Sequence, residues 1–325
     1  MKRHRLLLPS ALCMVLALGA GTPVLAQTWL QSTVTVDAKH FLVDVGDPLT
    51  DSDYVAVEGS APFGRISALA DSDHDAQSFH GLAIAWSQVA PGGVHVQARA
   101  QSVASGAGLL RVTGSAQAAG FMSDFFSLSV PGAANGASFS VTALVRVDGS
   151  AFAATTPGWS GTYQPAGQLA AFSHWESWVR VMQGGSGQTL AELRAYEDCD
   201  ERTNTGSGPF CRGGGQPGLQ SITFQMINQG GAVQLDMRGW ASAGTSVYQP
   251  TLLVSADSMA DMGHSIAWGG ITELRDANGQ LVADYSAVSA TSGFDYRSAY
   301  VSAVPEPGTG ALLLTGLAWL ARRRR

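Results

Sequence analysis

Apolar and polar residues alternate with a period of two along much of this chain. The alternation holds at every step in Val94–Gln101, Ser138–Ala143, Ile222–Met226 and Val233–Arg238. Successive side chains of a strand point to opposite faces of its sheet, so this period buries one face and leaves the other in water. These four segments are therefore predicted to be half-buried antiparallel strands.

Shorter runs that are rich in leucine, aromatic and β-branched residues add further predicted strands. They are Leu109–Val112, Phe125–Leu128, Trp175–Val181 and Thr251–Val254. No long helical period competes with them, although Thr189–Glu197 remains ambiguous.

Two segments between these runs are predicted to be hairpin turns. The glycine-containing segment Ile227–Ala232 separates two predicted strands, and Asn278-Gly279 separates Ile271–Leu274 from the segment that starts at Leu281. Turn signals recur about every 8 to 12 residues, which is typical of a β-sandwich. The predicted fold class is therefore all-β, an antiparallel β-sandwich of jelly-roll type.

The start of the chain does not follow this pattern. Lys2, Arg3 and Arg5 form a basic stretch, residues 6–20 are predominantly apolar, and small or compact residues follow. This order is typical of a secretory signal peptide, so residues 1–26 are predicted to be cleaved off during export.

The end of the chain is equally distinct. Pro305-Glu306-Pro307 precedes the uncharged segment Gly308–Ala321, and the chain then ends in four arginines. As a helix, those 14 residues would reach about 21 Å, less than the roughly 30 Å of a bilayer core. The arginines favour the cytoplasmic side, which places the rest of the chain across the membrane. An ordinary C-terminal tail anchor is the alternative interpretation.

This three-part tail resembles the PEP-CTERM sorting signal of Gram-negative bacteria. The matching residues are Pro305, Glu306, Pro307, Arg322, Arg323, Arg324 and Arg325, together with the apolar run between them. The resemblance implies that an exosortase, a membrane-embedded transpeptidase-like protease, recognises residues 304–325 of an inner-membrane precursor. It also implies a mature protein at the cell surface or in an exopolysaccharide matrix, in other words the extracellular matrix of a biofilm.

The body of the chain is similar to PEP-CTERM protein bodies in four segments. They are Phe121–Leu128, Gly136–Gly149, Asp261–Trp268 and Ser289–Tyr296. This resemblance implies one β-fold from about residue 30 to residue 303, and it implies no activity.

The predicted ectodomain, residues 27–303, is more acidic than the whole chain. It retains 12 of the 19 basic and 24 of the 25 acidic residues, a net charge of −12, and Lys39 is its only lysine. Without a basic stripe, nucleic-acid binding is not expected. Its 277 residues lie near the limit of a single core, so a division into two subdomains near 157–167 or 184–187 is left open.

Cys199 and Cys211 are the two cysteines of the predicted ectodomain. In an oxidising compartment, an isolated pair at this separation is predicted to form a disulfide. The spacing fits no zinc pattern, and no histidine lies nearby in the sequence.

No motif for catalysis is recognised, so no catalytic residue is assigned. The chain lacks Gly-x-Ser-x-Gly and His-Glu-x-x-His. The strand around Trp175 is the candidate carbohydrate contact, because its period places His174, Glu176 and Trp178 on one face. The structural interpretation is that Trp175 and Val179 pack into the core and the polar side faces water.

An acidic segment is the candidate calcium site. Asp71, Asp73 and Asp75 resemble the start of a calcium loop, but Ala76 and Leu82 occupy positions where an EF-hand needs glycine and glutamate. A looser Ca²⁺ site is left open, with Asp47, Asp51 and Asp53 as further ligands. The default interpretation is a solvated acidic turn without any cofactor.

From these features we predict that the chain is a non-enzymatic exported surface or exopolysaccharide-matrix protein. One alternative is a carbohydrate-binding adhesin, which would show two or three exposed coplanar tryptophans. The other is a β-sandwich polysaccharide hydrolase or lyase, whose paired carboxylates would come from distant strands. The tryptophans considered for the adhesin are Trp86, Trp159, Trp175, Trp178, Trp240 and Trp268.

Overall fold

The computed structural model describes most of the predicted ectodomain and neither terminus. The described residues are 29–42, 50–59, 65–74, 79–104, 110–156, 168–202, 210–215, 217–248 and 254–301. The predicted signal peptide and sorting segment lie outside them. No helix capable of spanning a bilayer is found in the described part of the chain.

Fifteen strands make up the described fold. They are β1 Trp29–Leu42, β2 Thr50–Gly59, β3 Arg65–His74, β4 Phe79–Ala90, β5 Gly93–Ala104, β6 Leu110–Ser129, β7 Ser138–Val147, β8 Ser150–Thr156, β9 Gln168–Gln183, β10 Thr189–Arg202, β11 Phe210–Gly214, β12 Gly218–Ile227, β13 Val233–Tyr248, β14 Val254–Arg275 and β15 Ser286–Ser289. The ambiguous segment Thr189–Glu197 belongs to a strand, β10.

These strands form two antiparallel sheets. The larger sheet has the order β11-β10-β9-β13-β6-β1-β2, with β15 beside β6. The smaller sheet has the order β12-β7-β14-β5-β4-β3, with β8 beside β14. The prediction of an all-β fold with antiparallel sheets is confirmed, and the two sheets pack on each other as a β-sandwich.

Three strand pairs are nested within one another along the chain. β7 pairs with β12, β6 with β13 and β5 with β14. The first and last of these pairs lie in the smaller sheet and the middle pair in the larger sheet. Residues 184–187 are the turn between the paired strands β9 and β10, and the strands that flank residues 157–167 belong to the two sheets of the same sandwich.

The period of two determines which side chains enter the core. In β5, β7, β12 and β13 the apolar member of each alternating pair is buried, as predicted. Most core side chains are small, and the largest fully buried ones are Trp175 and Trp268. Representative core residues are Val34, Val36, Val94, Val96, Val141, Val145, Leu235 and Met237.

Carboxylates from the larger sheet satisfy the backbone of β8. The amide N–H of Ala151 donates to Glu197 (2.8 Å), and that of Thr155 donates to Glu201 (2.7 Å). The two glutamates on β10 and the two amides on β8 are each four residues apart, so the strands match in register. Trp175 Nε1 also donates to Glu197, at 3.1 Å. These contacts give hydrogen-bond partners to backbone N–H groups that an edge strand otherwise leaves unpaired.

One predicted hairpin is wrong. Ile227–Ala232 joins β12 and β13, but these strands lie in different sheets and do not pair. Asn228 holds the crossing: its side chain accepts from the Val130 amide (2.8 Å) and donates to the Ala133 and Ala134 carbonyls (3.1 Å each). Alternation reveals the buried face of a strand but not its neighbour, so the sequence pattern did not distinguish a hairpin from a crossing.

The second predicted hairpin is confirmed. Gly279 has a φ of 79°, the left-handed conformation that the turn needs, and an isolated bridge joins Arg275 to Leu281. The Asp276 carboxylate accepts from the backbone amides of Asn278 and Gln280, which closes the loop.

Candidate functional site

The outer face of the larger sheet carries a concentration of aromatic side chains. Four of them are substantially exposed: Phe210 (62%), Trp29 (50%), Phe172 (46%) and Tyr196 (38%). Phe121, Trp178 and Trp240 are half-buried on the same face. Large exposed apolar side chains that share one face are typical of an interaction surface.

Strand register brings these residues together from distant parts of the chain. On β9, β10 and β13, Trp178 is opposite Arg194 on one side and Arg238 on the other. Phe121 on β6 is in turn opposite Arg238 and Gln31. The outer face is therefore continuous from β10 to β1, although its residues are spread over more than half of the sequence.

The predicted carbohydrate contacts lie in the middle of this face. His174, Glu176 and Trp178 are half-buried and point outward from β9, whereas Trp175 and Val179 are buried in the core. The assignment of the two faces of β9 is thus confirmed. Whether the outward residues contact a glycan stays a prediction.

Four carboxylates of the outer face are engaged in ion pairs. Arg194 contacts Glu176 (2.7 Å), Arg180 contacts Asp236 (3.7 Å) and Arg202 contacts Asp200 (3.0 Å). Asp198 contacts both His174 and Arg212. Pairing of this kind orients the side chains across the sheet and reduces the net charge of the face.

Two exposed rings lie against glycines of neighbouring strands. Phe172 covers Gly244, and Tyr196 covers Gly214, so that a Cβ atom on either glycine would overlap the ring. Both rings remain substantially exposed, so each can stack on another planar or apolar group. Both rings were missed in the sequence analysis, although Phe172 shares the period of His174, Glu176 and Trp178.

The two outward tryptophans make polar contacts of their own. The Arg180 guanidinium lies 4.1 Å from the centre of the Trp178 ring. The His174 ring lies 4.9 Å from Trp240. Cation–π and ring contacts hold both indoles in place while leaving them on the outer face.

The other candidate tryptophans do not join this face. Trp175 and Trp268 are buried in the core, and Trp86 is nearly buried beneath Arg65 on the smaller sheet. Trp159 lies outside the described residues. Trp29, which the sequence analysis did not include, is exposed at the β1 end of the face, edge-on to Phe121.

A disulfide fixes the outermost hairpin of the face. Cys199 on β10 and Cys211 on β11 are directly opposite and bonded, as predicted, with their Cα atoms 4.1 Å apart. Structural disulfides persist in oxidising compartments, in agreement with a periplasmic or extracellular location. The bond holds β11, and with it Phe210 and Arg212, beside β10.

We expect that neither of these two cysteines carries a free thiol in the native protein. Cys199→Ser should loosen the β10–β11 hairpin by about 3 kcal/mol of loop-closure free energy while the sandwich stays folded. Because Cys199 is buried and Cys211 is exposed, Cys211→Ser is the matched variant that breaks the same bond without changing the core. Hydrogen exchange in β11 measures the loosening. Two reactive thiols in unreduced, denatured protein would contradict the pairing.

The candidate calcium residues lie partly on a strand. Asp71 and Asp73 belong to β3, so the expected acidic turn is wrong for this part of the segment. The exposed Asp71 carboxylate contacts His80 at 3.3 Å. The Asp73 side chain, Asp75 and Asp47 lie outside the described residues, as do the side chains of Asp51 and Asp53. No group of three metal-ligating side chains comes together among the residues with described side chains.

A buried polar cluster joins the C-terminal segment to β6. The Asp124 carboxylate, fully buried, accepts from Ser289 Oγ (2.8 Å), Ser292 Oγ (2.6 Å) and Tyr296 OH (2.8 Å). Burial, with the nearby Asp124 charge as the next cause, raises the pKa of Tyr296 well above its ordinary value. Trp268 Nε1 donates to the Tyr296 carbonyl at 2.7 Å.

This cluster brings together three of the four segments that carry the resemblance to PEP-CTERM bodies. Asp124, Trp268 and Tyr296 come from Phe121–Leu128, Asp261–Trp268 and Ser289–Tyr296 respectively. The contacts are structural: they close the end of the sandwich core and hold the chain just before the predicted sorting segment.

Comparison with known proteins gives no family for this chain. No protein-family model matches it, and neither the search of characterised proteins nor that of solved structures found a significant match.

Proposed function

We propose that this protein is an exported, non-enzymatic component of the cell surface or exopolysaccharide matrix, and that the outer face of its larger sheet holds polysaccharide. The observation that carries the proposal is the concentration of exposed and half-buried aromatic rings on that face. Stacking on sugar rings needs exposed aromatic surfaces, and Phe172 and Tyr196 are exposed and lie against glycines of the neighbouring strands.

The polar residues of the face support the same function. Gln31, Thr33, Thr35 and Gln117 lie at outward positions between or beside the rings, and none of them is buried. Amides and hydroxyls both donate and accept hydrogen bonds, which suits the hydroxyl groups of a glycan. From β11 to β2 the sheet is about 30 Å wide, enough for several sugar rings.

The nested strand pairs support the finer assignment of the fold. We infer a jelly-roll topology, because pairs nested along the chain and alternating between two sheets follow the path of that fold. Jelly rolls occur in lectin domains, although a fold alone does not establish a function.

The ion pairs favour binding over catalysis. Hydrolysis of a glycosidic bond uses two carboxyl groups that act directly on the sugar. Glu176, Asp198, Asp200 and Asp236 instead contact arginine or histidine on the same face.

Delivery to the surface is the second part of the proposal. The tail Pro305-Glu306-Pro307 with its apolar run and arginines supports sorting by an exosortase-type protease from an inner-membrane precursor. The disulfide supports an oxidising destination.

Removing the rings should weaken glycan binding. Phe172→Ala, Trp178→Ala and Trp240→Ala should each cost about 0.5–1.5 kcal/mol of binding free energy, because each removes one stacking surface. The matched control is Phe152→Ala, since Phe152 is equally exposed but lies on the smaller sheet. Affinity is measured by cosedimentation of the mature chain with exopolysaccharide from a PEP-CTERM-bearing bacterium.

The same incubation separates the alternative functions. Newly formed reducing ends would replace the non-enzymatic proposal with a hydrolase or lyase, with Glu176 as the first candidate acid. Binding that disappears with a chelator and returns with Ca²⁺ would assign Asp71, Asp73 and Asp75 to a metal site. Absence of binding to any polysaccharide, or an equal loss in Phe152→Ala, would rule out the proposed face.

A further inference from the structure

Arg238 borders a depression on the outer face of the larger sheet. The depression has a volume of about 310 Å³ and is lined by Gln31, Thr33, Ala119, Gly120, Phe121, Trp178 and Arg238. Its lining includes one cation, two aromatic rings, an amide and a hydroxyl. None of the lining residues is a carboxylate, in contrast to the ion-paired region around Glu176.

The Arg238 side chain is exposed, and its contacts differ from those of four other arginines of the face. Arg180, Arg194, Arg202 and Arg212 each contact a carboxylate. For Arg238, no hydrogen bond or ion pair with any described residue is found. Arg238 therefore brings N–H donors without a partner among the described residues to the lining of this depression, beside Trp178.

We infer that this depression takes a sugar that carries a carboxylate, such as a uronic-acid unit of an acidic polysaccharide. A guanidinium donates two parallel hydrogen bonds to a carboxylate, a geometry that an ammonium group does not match. The Trp178 and Phe121 rings supply an apolar surface for the sugar ring, and Gln31 and Thr33 supply partners for its hydroxyls. The inference rests on the proposed function and adds the class of sugar.

The charge of the whole ectodomain works against this ligand at long range. A net charge of −12 repels a polyanion. At about 0.15 M salt the Debye length is roughly 8 Å, so this repulsion is largely screened while contact with Arg238 remains. Selectivity for a carboxylate would then come from Arg238 itself rather than from the overall field.

A matched pair of glycans tests the inference. Polygalacturonate and its methyl ester share one backbone and differ in whether the carboxyl group is charged. We expect the mature chain to bind polygalacturonate about tenfold more tightly than the ester at about 0.15 M salt, from one charge-assisted contact. Arg238→Gln should remove this preference while leaving the affinity for the ester within about twofold.

Two further variants serve as controls. Arg99→Gln removes an arginine from the smaller sheet, where it pairs with Asp257 at 3.0 Å, and should leave the preference unchanged. Arg238→Lys retains the charge but loses the planar donor geometry, so it should keep only part of the preference. Because Arg238 is exposed, all variants should unfold at the wild-type temperature.

The outcomes separate this inference from the proposed function. Equal binding of both glycans by the wild type, or an equal loss of both in Arg238→Gln, would overturn the carboxylate site and leave polysaccharide binding intact. Failure to bind either glycan, or any other polysaccharide, would count against the proposed function itself. Free sulfate that competes as well as free galacturonate would overturn the sugar assignment and leave a general anion site.

Discussion

Replacing Asp124 with alanine is expected to lower the free energy of unfolding by about 3–5 kcal/mol. The substitution removes a buried acceptor from Ser289, Ser292 and Tyr296, and the buried hydroxyls of Ser289 and Tyr296 that lose this partner destabilise the fold. Since a domain of this kind is stable by only about 5–15 kcal/mol, the variant should be close to unfolding at physiological temperature.

Denaturant unfolding of three variants measures this effect. Asp124→Asn keeps the shape and one oxygen, so it should fall between the wild type and Asp124→Ala. The control is Asp257→Asn on the smaller sheet, whose carboxylate makes a more exposed ion pair with Arg99 and should change stability by less than about 1 kcal/mol. A loss in Asp124→Ala no larger than in this control would contradict the structural role of the cluster.

The cluster should also make the protein sensitive to alkali. The pKa of Tyr296 is higher in the folded state than in the unfolded state, so its contribution to stability is complete below the unfolded value of 10.0. That contribution is lost as the pH rises from there through the folded value. Tyr296→Phe should be less stable than the wild type near neutral pH and should lose less stability between about pH 9 and about pH 11. Burial also raises the pKa of Tyr285, so the difference between wild type and variant isolates Tyr296.

Replacing Glu306 with alanine is expected to abolish processing of the precursor at the C-terminus. The proposal assigns recognition to the Pro-Glu-Pro tripeptide, and the substitution removes its one charged side chain. Unprocessed protein should then remain in the inner membrane through its apolar segment and the arginines that follow it.

Intact-mass analysis of surface-extracted and membrane-extracted protein measures this outcome. The wild type at the surface should lack the residues that follow the tripeptide, whereas Glu306→Ala and Pro305→Ala should accumulate full-length in the membrane. Glu273→Ala is the matched control, since Glu273 lies within the folded domain and pairs with Arg275. Wild-type protein recovered from the surface with Arg325 still attached would contradict sorting by this tail.

The period of two in the sequence was sufficient for about half of the strands and for the buried faces of those strands, whereas β1–β4, β8, β11 and β15 were not predicted. It predicted correctly that Trp175 and Val179 face the core while His174, Glu176 and Trp178 face outward. Successive side chains of a strand point to opposite faces, so odd and even positions separate the two faces. The cysteine pair was predictable for a different reason, since the predicted ectodomain offers one partner for each cysteine. The Asn278-Gly279 turn was predictable because its backbone needs a conformation that glycine adopts readily.

Only the tertiary structure decided which strands are neighbours. Odd or even position in a strand does not determine register or sheet membership. Ile227–Ala232 therefore crosses between sheets, and Phe121, Trp178 and Arg238 are neighbours through pairings invisible in the sequence. The Asp124 cluster likewise combines a feature that the sequence indicates with contacts that only the tertiary structure determines. An aspartate at a core-facing position signals a buried polar network, but its partners lie 165 to 172 residues further along the chain. Such contacts depend on how the two sheets close on each other, and local patterning carries no information about that.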